Sequence, residues 1–459
     1  MMKKLQIYLV LLLVSVTMTQ AQTFPTTSWS DLADTSWYDA GQDEFTLSTA
    51  ETLAGLAQLV ADGNSFAGKT ILIGGDIDLD GNLWSPIGVE FNIPFSGTVN
   101  GNDYVISNLW VNMPTTGMAG LFGHTESASF SNLHLDTANV IGDDNTGALI
   151  ANLYNNGSIE NCSAINVDVT GQYTTGGLVG GFLTNSTITK SHAIGNVTGF
   201  AQVGGLAGTG WDNVIVAECY SEGTVTADAL TGGLIGSFPF AFAGESVVDN
   251  SYSRANVVSL MDRAGGLIGN GDNALLIKNS YATGTVTAPD SAGAVIGLWG
   301  MINAENLYFD TETSGMTEGV GVVQGPPVTP DITALTTTEM KSTETVDLLN
   351  AGSTEAPWSI DSSVNDGYPV LNFVLGVENN SFDATAVKVY PTIFDTTFSV
   401  ASTLGLQSYS IYSYTGALIS KGILSNTVST VNAANLSAGV YILKINTAEG
   451  TITKKIIKK

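Results

Sequence analysis

The chain has 459 residues, of which 44% are hydrophobic and only 12% charged, so it can build a large core and is not typical of a disordered protein. Its net charge is −27, and residues 22–385 carry 40 acidic but only six basic side chains. Such an acidic body excludes a nucleic-acid partner, because phosphate recognition needs Lys and Arg. Residues 386–459 instead carry seven lysines and two acids, which indicates a separate module.

The N-terminus has the pattern of a secretory signal peptide. Lys3 and Lys4 precede the almost wholly apolar residues 5–16, and Thr19-Gln20-Ala21 is a small-x-small cleavage site. We therefore expect residues 1–21 to be removed and the mature protein to be secreted. No other stretch approaches the roughly 18 apolar residues of a transmembrane helix, so no transmembrane anchor is predicted.

Residues 22–107 are predicted to form an N-terminal cap and the first coils of a repeat region. Ser48 and Glu51 have the spacing of a capping box, and leucines at helical spacing follow them. An amphipathic helix there would cover the first open coil. Residues 71–79 and 95–106 are predicted to be the first strands.

Between residues 108 and 325 one short pattern recurs eight times, at steps of 24, 29, 29, 28, 32, 29 and 27 residues. A repeat of this length is the signature of a solenoid, in which each unit buries its apolar face against the next. The recurring tripeptides are Asn108-Leu109-Trp110, Asn132-Leu133-His134, Asn161-Cys162-Ser163, Lys190-Ser191-His192, Glu218-Cys219-Tyr220, Asn250-Ser251-Tyr252, Asn279-Ser280-Tyr281 and Asn306-Leu307-Tyr308.

Each repeat contains three short apolar runs separated by Gly, Asn and Ser, as residues 176–199 illustrate. No run is long enough for a helix and β-branched residues dominate, so the runs are predicted to be strands. Three strands per repeat, in register, predict an all-β fold: a right-handed parallel β-helix with short capping helices.

Aligning the repeats separates columns with different roles. The first tripeptide position is mostly Asn, which tolerates the left-handed bend of a corner and can bond its amide along the stack. Cys162 and Cys219 share the second position two coils apart, roughly 9 to 10 Å, which is too far for a disulfide, so we predict two free, buried thiols. An apolar column, assigned to the core, consists of Ile106, Phe130, Ile159, Ile188, Val216, Val248, Ile277 and Ala304.

The end of the chain is predicted to hold two further parts. Residues 326–376 cap the solenoid, with a helical pattern at 336–350 and a closing group that includes Trp358 and Tyr368. Residues 377–459 contain alternating runs that predict a small antiparallel β-sandwich.

Two parts of the chain resemble known families. The strand Gly176-Gly177-Leu178-Val179-Gly180 and its repeats resemble the GLUG motif of bacterial secreted and surface proteins. The last segment resembles a type IX secretion C-terminal sorting domain, through Val389-Tyr390-Pro391, residues 436–442 and the Lys-rich residues 454–459, although Thr392 stands where that family often has Asn. This second resemblance implies the type IX secretion machinery as a partner and a secreted or outer-membrane surface-attached location, with removal of the tail.

The third tripeptide position supplies the candidate ligand-binding residues. His192, Tyr220, Tyr252, Tyr281 and Tyr308 stand in one column at a spacing of about 4.8 Å. Planar rings in a row can bind sugar faces, and they can equally stack inward as core. The sequence leaves both alternatives open.

Asp76, Asp78 and Asp80 are weak candidates for a surface calcium site. They begin like an EF-hand loop, but Ile87 stands where that loop requires a bidentate Glu, so the EF-hand prediction fails. Apart from this calcium, no cofactor is predicted.

For function, two hypotheses stand first. The chain lacks the His-Glu-x-x-His and Gly-x-Ser-x-Gly motifs, which favours a non-catalytic adhesin that binds glycans or a host or neighbouring cell surface. The alternative is a polysaccharide lyase or glycoside hydrolase on the same fold, which needs a groove with clustered carboxylates. A minor alternative is ice binding, suggested by the Thr-x-Thr pairs at 224–226 and 285–287.

Overall fold

A computed structural model describes most of the chain from residue 24 onward. The signal peptide expected at residues 1–21 lies outside the described residues, and so do the domain boundaries expected near 326 and 376. No helix in the described part is long and apolar enough to cross a membrane. The described residues are 24–239, 244–271, 274–300, 302–324, 330–373, 387–402, 405–413, 418–424, 428–447 and 450–459.

The body is a parallel β-solenoid of about ten coils, which confirms the predicted fold class. Each coil places its strands on three faces, and each strand pairs in parallel with the equivalent strands of the coils before and after it. The short strands of the first face are Glu44–Leu47, Thr70–Ile73, Thr98–Asn100, Ser129–Ser131, Ser158–Glu160, Thr187–Thr189, Ile215–Ala217 and Ser246–Asp249.

The second face follows the Asn corner of each coil and holds the longest strands. Leu275–Ala282 and Ile302–Asp310 run through the corner and belong to both the first and the second face. The other strands of the second face, with their short extensions, are Ile77–Asp78, Val105–Asn112, His134–Ile141, Thr146–Gly147, Ser163–Thr170, Tyr173–Gly176, His192–Gly204, Tyr220–Gly232, Tyr252–Ser253, Asn256–Gly265, Val286–Thr287, Ala292–Gly293 and Ile332–Leu335.

The third face is an eight-stranded parallel sheet. Just before its strands lies a leucine column that points into the solenoid, and Leu149, Leu178 and Leu206 in it are fully buried. The strands of the third face are Phe122–Glu126, Ile150–Tyr154, Val179–Leu183, Ala207–Trp211, Ile235–Phe238, Ile268–Gly271, Ile296–Trp299 and Val320–Val323.

The strand register corrects the alignment of the first repeat. Val105, and not Trp110, pairs with His134, and Val99, and not Ile106, pairs with Phe130. The chain has two more residues between Val99 and Val105 than between Phe130 and His134, and they enlarge the corner there. The tripeptide Asn108-Leu109-Trp110 belongs to another column, since Asn108 aligns with Thr137 and Asn166 inside the second face and not with the corner residue Asn132.

The Asn corners have the predicted backbone conformation. Asn132, Asn161, Asn279 and Asn306 all have φ between 49° and 52°, in the left-handed region. Their amides bond along the stack: Asn161 Nδ2 donates to Asn132 Oδ1 at 2.7 Å, and Asn306 Nδ2 donates to Asn279 Oδ1 at 3.1 Å. These corners therefore fix the register of each coil on its neighbour.

The column after the corner packs inside, and both cysteines in it are free and buried, as predicted. Burial raises the pKa of each thiol to about 12, so both are neutral thiols at physiological pH. Serines in the same column do more than fill space. Ser191 Oγ accepts a hydrogen bond from Cys162 N at 3.1 Å and donates to Thr189 O at 2.7 Å.

Glycine is required where the second face turns into the third. A Cβ on Gly204 would lie 2.0 Å from the carbonyl oxygen of Ala207, and one on Gly232 would lie 1.9 Å from that of Ile235. Since real Cβ atoms do not approach backbone so closely, any side chain there must distort the turn between the two faces.

We therefore predict that Gly204→Ala destabilises the solenoid by about 3 kcal/mol, through overpacking against backbone that cannot move aside. Gly75→Ala is the matched control, because a Cβ at Gly75 has no atom within 4 Å and its φ is not positive. Urea unfolding followed by circular dichroism measures both. Equal stability of the two variants would show that the glycine column is not constrained.

Short helices cover the N-terminal end and one side of the solenoid. Ala50–Ala61 is the predicted amphipathic helix, although its capping box is formed by Thr49 and Thr52 and not by Ser48 and Glu51. The helical pattern at 336–350 forms two helices. The remaining helices and the strands of the capping region are the 3-10 turns Trp29–Leu32 and Asn365–Gly367, the helices Thr311–Ser314, Thr337–Met340 and Thr343–Leu349, and the antiparallel pair Trp358–Ile360 and Pro369–Leu371.

Residues 387–459, called the C-terminal unit below, form two mainly antiparallel sheets around a hydrophobic core of their own. This confirms the predicted small sandwich. One sheet has three strands and the other five. In chain order the strands are Val387–Tyr390, Ile393–Phe394, Thr397–Ser402, Leu406–Ser413, Leu418–Ile423, Val428–Asn432, Gly439–Thr447 and Gly450–Lys458.

Candidate functional site

The aromatic column on the second face consists of His192 and the four tyrosines Tyr220, Tyr252, Tyr281 and Tyr308, and the strand register confirms that they align. The rings of Tyr220 and Tyr252 are parallel within 1°, with centroids 4.8 Å apart, and His192 stacks on Tyr220 at 4.4 Å. These spacings are set by the distance between coils.

The tyrosines point away from the solenoid interior, yet they are not exposed. Residues 330–373, called the capping segment below, lie over them and form a separate hydrophobic cluster that includes Trp358, Tyr368 and Leu371. Tyr252 and Tyr281 are 1% and 0% exposed. Neither alternative left open by the sequence describes this arrangement, because the rings are neither inside the solenoid nor an open platform.

Polar contacts fasten the capping segment to the column. The Tyr281 hydroxyl donates to Pro369 O at 2.6 Å and accepts from Asn365 Nδ2 at 2.8 Å, and Trp358 Nε1 donates to Asn250 Oδ1 at 3.0 Å. These partners are separated by 84 to 108 positions in the chain, so no repeat pattern could indicate them.

Arg254 is the charged anchor of the capping segment. Its guanidinium donates to the Asp366 carboxylate and to Asn365 Oδ1, the latter at 2.8 Å, and lies 5.3 Å from the centroid of the Tyr368 ring. Glu222 Oε1 lies 3.9 Å from the same guanidinium. Burial raises the pKa of Glu222, and Arg254 opposes that rise. The arginine thus ties the segment to the coils beneath it.

We predict that Arg254→Gln lowers the free energy of unfolding by about 2 kcal/mol and makes the capping segment sensitive to proteases, because charge-assisted hydrogen bonds are lost. Limited proteolysis with mass spectrometry locates the cuts. Arg263→Gln is the control, since Arg263 pairs with Asp262 and Asn270 and not with the segment. Cuts between residues 350 and 373 at equal rates in both variants would contradict the anchoring role.

The column is open at its other end, where smaller polar residues replace tyrosine. In register before Tyr220 come His192, Ser163 and His134. Ser163 Oγ is 2.8 Å from His134 Nδ1, and His134 Nε2 is 3.5 Å from Asp103 Oδ1. The structure therefore brings together a serine, a histidine and an aspartate from three successive coils. Their sequence spacing near one repeat was the signal that could have revealed them.

This open end lines a groove of about 960 Å³, called the column groove below. Three carboxylates, two imidazoles and a tyrosine ring lie on its solenoid wall, and the C-terminal unit forms the facing wall. The main polar and aromatic residues of the solenoid wall are Asp76, Asp103, Tyr104, His134, Asp136 and His192.

The charges in the groove are coupled. The hydrogen bond from His134 lowers the pKa of Asp103, burial opposes it, and Lys444 adds a further lowering from 3.4 Å. Burial lowers the pKa of His192 to about 3, and the nearby His134 contributes. At neutral pH the groove therefore combines a stable carboxylate with an uncharged imidazole.

The Ser163, His134 and Asp103 arrangement favours hydrogen bonding over nucleophilic catalysis. The backbone N–H groups of Ser163 and His192 donate to Leu133 O and Cys162 O in the parallel ladder. Neither is therefore free to stabilise an oxyanion. The low pKa of Asp103 also disfavours it as a general acid.

The calcium candidates have other partners. Asp76 Oδ1 accepts from Val105 N at 3.1 Å, and Asp78 Oδ1 accepts from Asn108 Nδ2 at 2.9 Å and from Asp80 N at 3.0 Å. Within the described ranges no group of three or more His, Cys, Asp and Glu side chains is placed to hold a metal ion. Asp76 and Asp78 therefore accept hydrogen bonds that fasten neighbouring coils.

A second polar surface lies farther along the second face. Asn196 pairs with Thr224 and Thr198 pairs with Thr226, so the threonine rows suggested by the sequence do align. Val258 follows Thr226 and interrupts the row. The rows are therefore mixed and are not the unbroken threonine array that ice binding would need.

Comparison with known proteins identifies the C-terminal unit. Residues 388–459 match the family model described as a secretion system C-terminal sorting domain. They are a type IX secretion sorting domain. The chain is therefore a secreted or cell-surface protein, with the type IX secretion machinery as a partner.

The chain has two further similarities to known proteins. A stretch of 122 residues is 33% identical to Halomucin of Haloquadratum walsbyi. The aligned region covers 26% of this chain and 1% of that protein. A crystal structure described as that of a candidate immunoglobulin A1 protease from Bacteroides ovatus aligns with 72% of this chain and 92% of its own, at 16% identity and a TM-score of 0.45.

We predict that His192 makes the fold sensitive to acid. Its pKa is near 6.5 when unfolded and about 3 when folded, so the unfolded state gains a proton first as the pH falls. The stabilisation that His192 contributes above pH 6.5 is therefore lost as the pH falls towards 3. Between pH 7 and 4.5 the native protein should lose about 2.5 kcal/mol more than His192→Gln.

Urea unfolding across this pH range provides the test. Between pH 7 and 8 the curves of the two proteins should run parallel, because histidine is neutral in both states there. Parallel curves down to pH 4.5 would rule out the prediction.

Proposed function

We propose that this secreted β-solenoid is a non-catalytic adhesin that binds glycans through the column groove. The observation that carries the proposal is the end of the column that the capping segment leaves uncovered: imidazoles and carboxylates line a groove of about 960 Å³ there, while the tyrosines beyond them are sealed. This volume falls within the range of small-molecule binding sites.

The groove offers the two kinds of contact that sugars use. Carboxylates accept hydrogen bonds from hydroxyl groups, and the Tyr104 and imidazole rings offer faces to the apolar side of a sugar ring. Asp76, Asp103 and Asp136 make the solenoid wall of the groove negative. We therefore expect neutral or amino sugars to bind and acidic polysaccharides to be repelled.

The rest of the molecule is consistent with display at a cell surface. The sorting domain directs the chain to the cell exterior, and a solenoid of about ten coils presents an extended body. The resemblance to GLUG-motif surface proteins agrees with the glycine column, whose members contact backbone of the next coil. Attachment to a host or neighbouring cell is the role we propose.

A glycan array probed with residues 22–376 tests the proposal. This fragment keeps the whole solenoid core, which is separate from the core of the C-terminal unit. Asp136→Ala removes an exposed carboxylate of the groove and should weaken binding about tenfold, or about 1.4 kcal/mol.

Asp168→Ala is the matched control. Asp168 is an exposed aspartate on the same face, one coil further on, and does not line the groove. Equal loss in both variants, or binding to acidic glycans alone, would count against a site in the column groove.

Glycan cleavage is the second candidate function, and one observation favours it. Three carboxylates line one wall of the groove, as a glycosidase or lyase requires. The low pKa of Asp103 argues against a proton donor there. Mass spectrometry of the glycans recovered from the array experiment separates the two functions, because shortened products would establish an enzyme.

A further inference from the structure

The second wall of the column groove comes from this chain itself. Five of the residues that line it lie on two paired strands of the C-terminal unit, Leu406–Ser413 and Gly439–Thr447. On the first strand they are Ser408, Ser410 and Tyr412, and on the second they are Lys444 and Asn446.

The alternation of these strands explains why a polar surface faces the groove. Ser410 pairs with Lys444 and Ser408 pairs with Asn446, so these side chains share one face of the sheet. The intervening residues Ile411, Leu443 and Ile445 point the other way and are buried in the core of the unit. The polar side chains on the opposite face of the sheet therefore remain outside that core.

Two lysines make the specific contacts with the solenoid wall. Lys444 Nζ lies 3.4 Å from Asp103 Oδ2, and Lys421 Nζ lies 4.8 Å from the centroid of the Tyr104 ring. The charges of the two parts are complementary, since the solenoid part is strongly acidic and the C-terminal unit carries seven lysines and two acids. Opposite fields of this kind favour docking in one orientation.

We propose that the column groove is the docking surface for the polar sheet face of the chain's own C-terminal unit, which covers the groove while the two parts are joined. The consequence for glycan access rests on the proposed function, whereas the docking does not. The facing wall then restricts access to the groove in the intact chain and is released when the link is severed.

The contacts between the C-terminal unit and the solenoid are weak, so they hold only while the two parts are covalently linked. Exposed ion pairs and cation–π contacts each add little, because solvent screens them and flexible side chains lose entropy. A covalent link raises the effective concentration of the unit to about a millimolar, which suffices for such contacts. Once the link is cut, the same contacts no longer hold the two parts together at micromolar protein.

The experiment uses the full chain with a specific protease site placed between residues 377 and 386. Carbethoxylation of histidines by diethyl pyrocarbonate, read by mass spectrometry, reports on the groove. His134 and His192 line it, and His124, which is 1% exposed and outside it, is the internal reference. Cleavage should raise the reaction rates of His134 and His192 at least threefold relative to His124.

A charge reversal tests the contact without cutting the chain. Lys444→Glu should raise the His192 rate in the intact chain, and 0.5 M salt should do the same for the unaltered chain. Lys458→Glu is the control, because it makes the same charge change on the C-terminal unit outside the groove. Circular dichroism verifies that both variants are folded.

The outcomes separate the two proposals. Equal histidine rates before and after cleavage, or equal effects of Lys444→Glu and Lys458→Glu, would overturn the docking even if glycans bind. Glycan binding is measured without the C-terminal unit, so its failure would leave the docking result standing.

Discussion

The parallel register between successive coils is the constraint on which the rest of this structure depends. Because every strand pairs with its equivalent one coil away, each position of the repeat becomes a column, and a slip by one residue would send a whole column to the wrong face. Asparagines in the left-handed conformation hold this register at one corner, and glycines that tolerate backbone contact hold it at another. In the core, at the corners and on the surface, similar residues therefore stack in columns along the solenoid.

That constraint also decides what the sequence could reveal. The Asn corners, the unpaired cysteines and the leucine column were predictable, because each follows from local conformation or from the spacing of coils. The first repeat was misaligned because Asn108 also has the left-handed conformation but lies inside the second face and not at a corner. The cover over Tyr281 was not predictable, since its partners Pro369 and Asn365 lie outside the repeats.

The column on the second face shows how one ladder can serve two purposes. Where its residues are tyrosines, their hydroxyl and ring edges meet the capping segment, and the ladder becomes a second core outside the solenoid. Where its residues are His134, Ser163 and His192, the capping segment makes no such cluster, and a groove remains that the C-terminal unit faces. The change from tyrosine to histidine along the column therefore separates a part that packs against the capping segment from a part that can bind a ligand.

The capping segment has a consequence for a protein that is held at one end and pulled at the other. A bare solenoid under tension can peel away coil by coil, because each coil contacts only its neighbours. Here the segment touches coils from Tyr220 to Tyr308 at once, and Arg254, Asn250 and Asp310 bind it along that length. Force applied from the C-terminal side must detach this segment before the last coils can unwind, so the segment protects those coils against tension from that side.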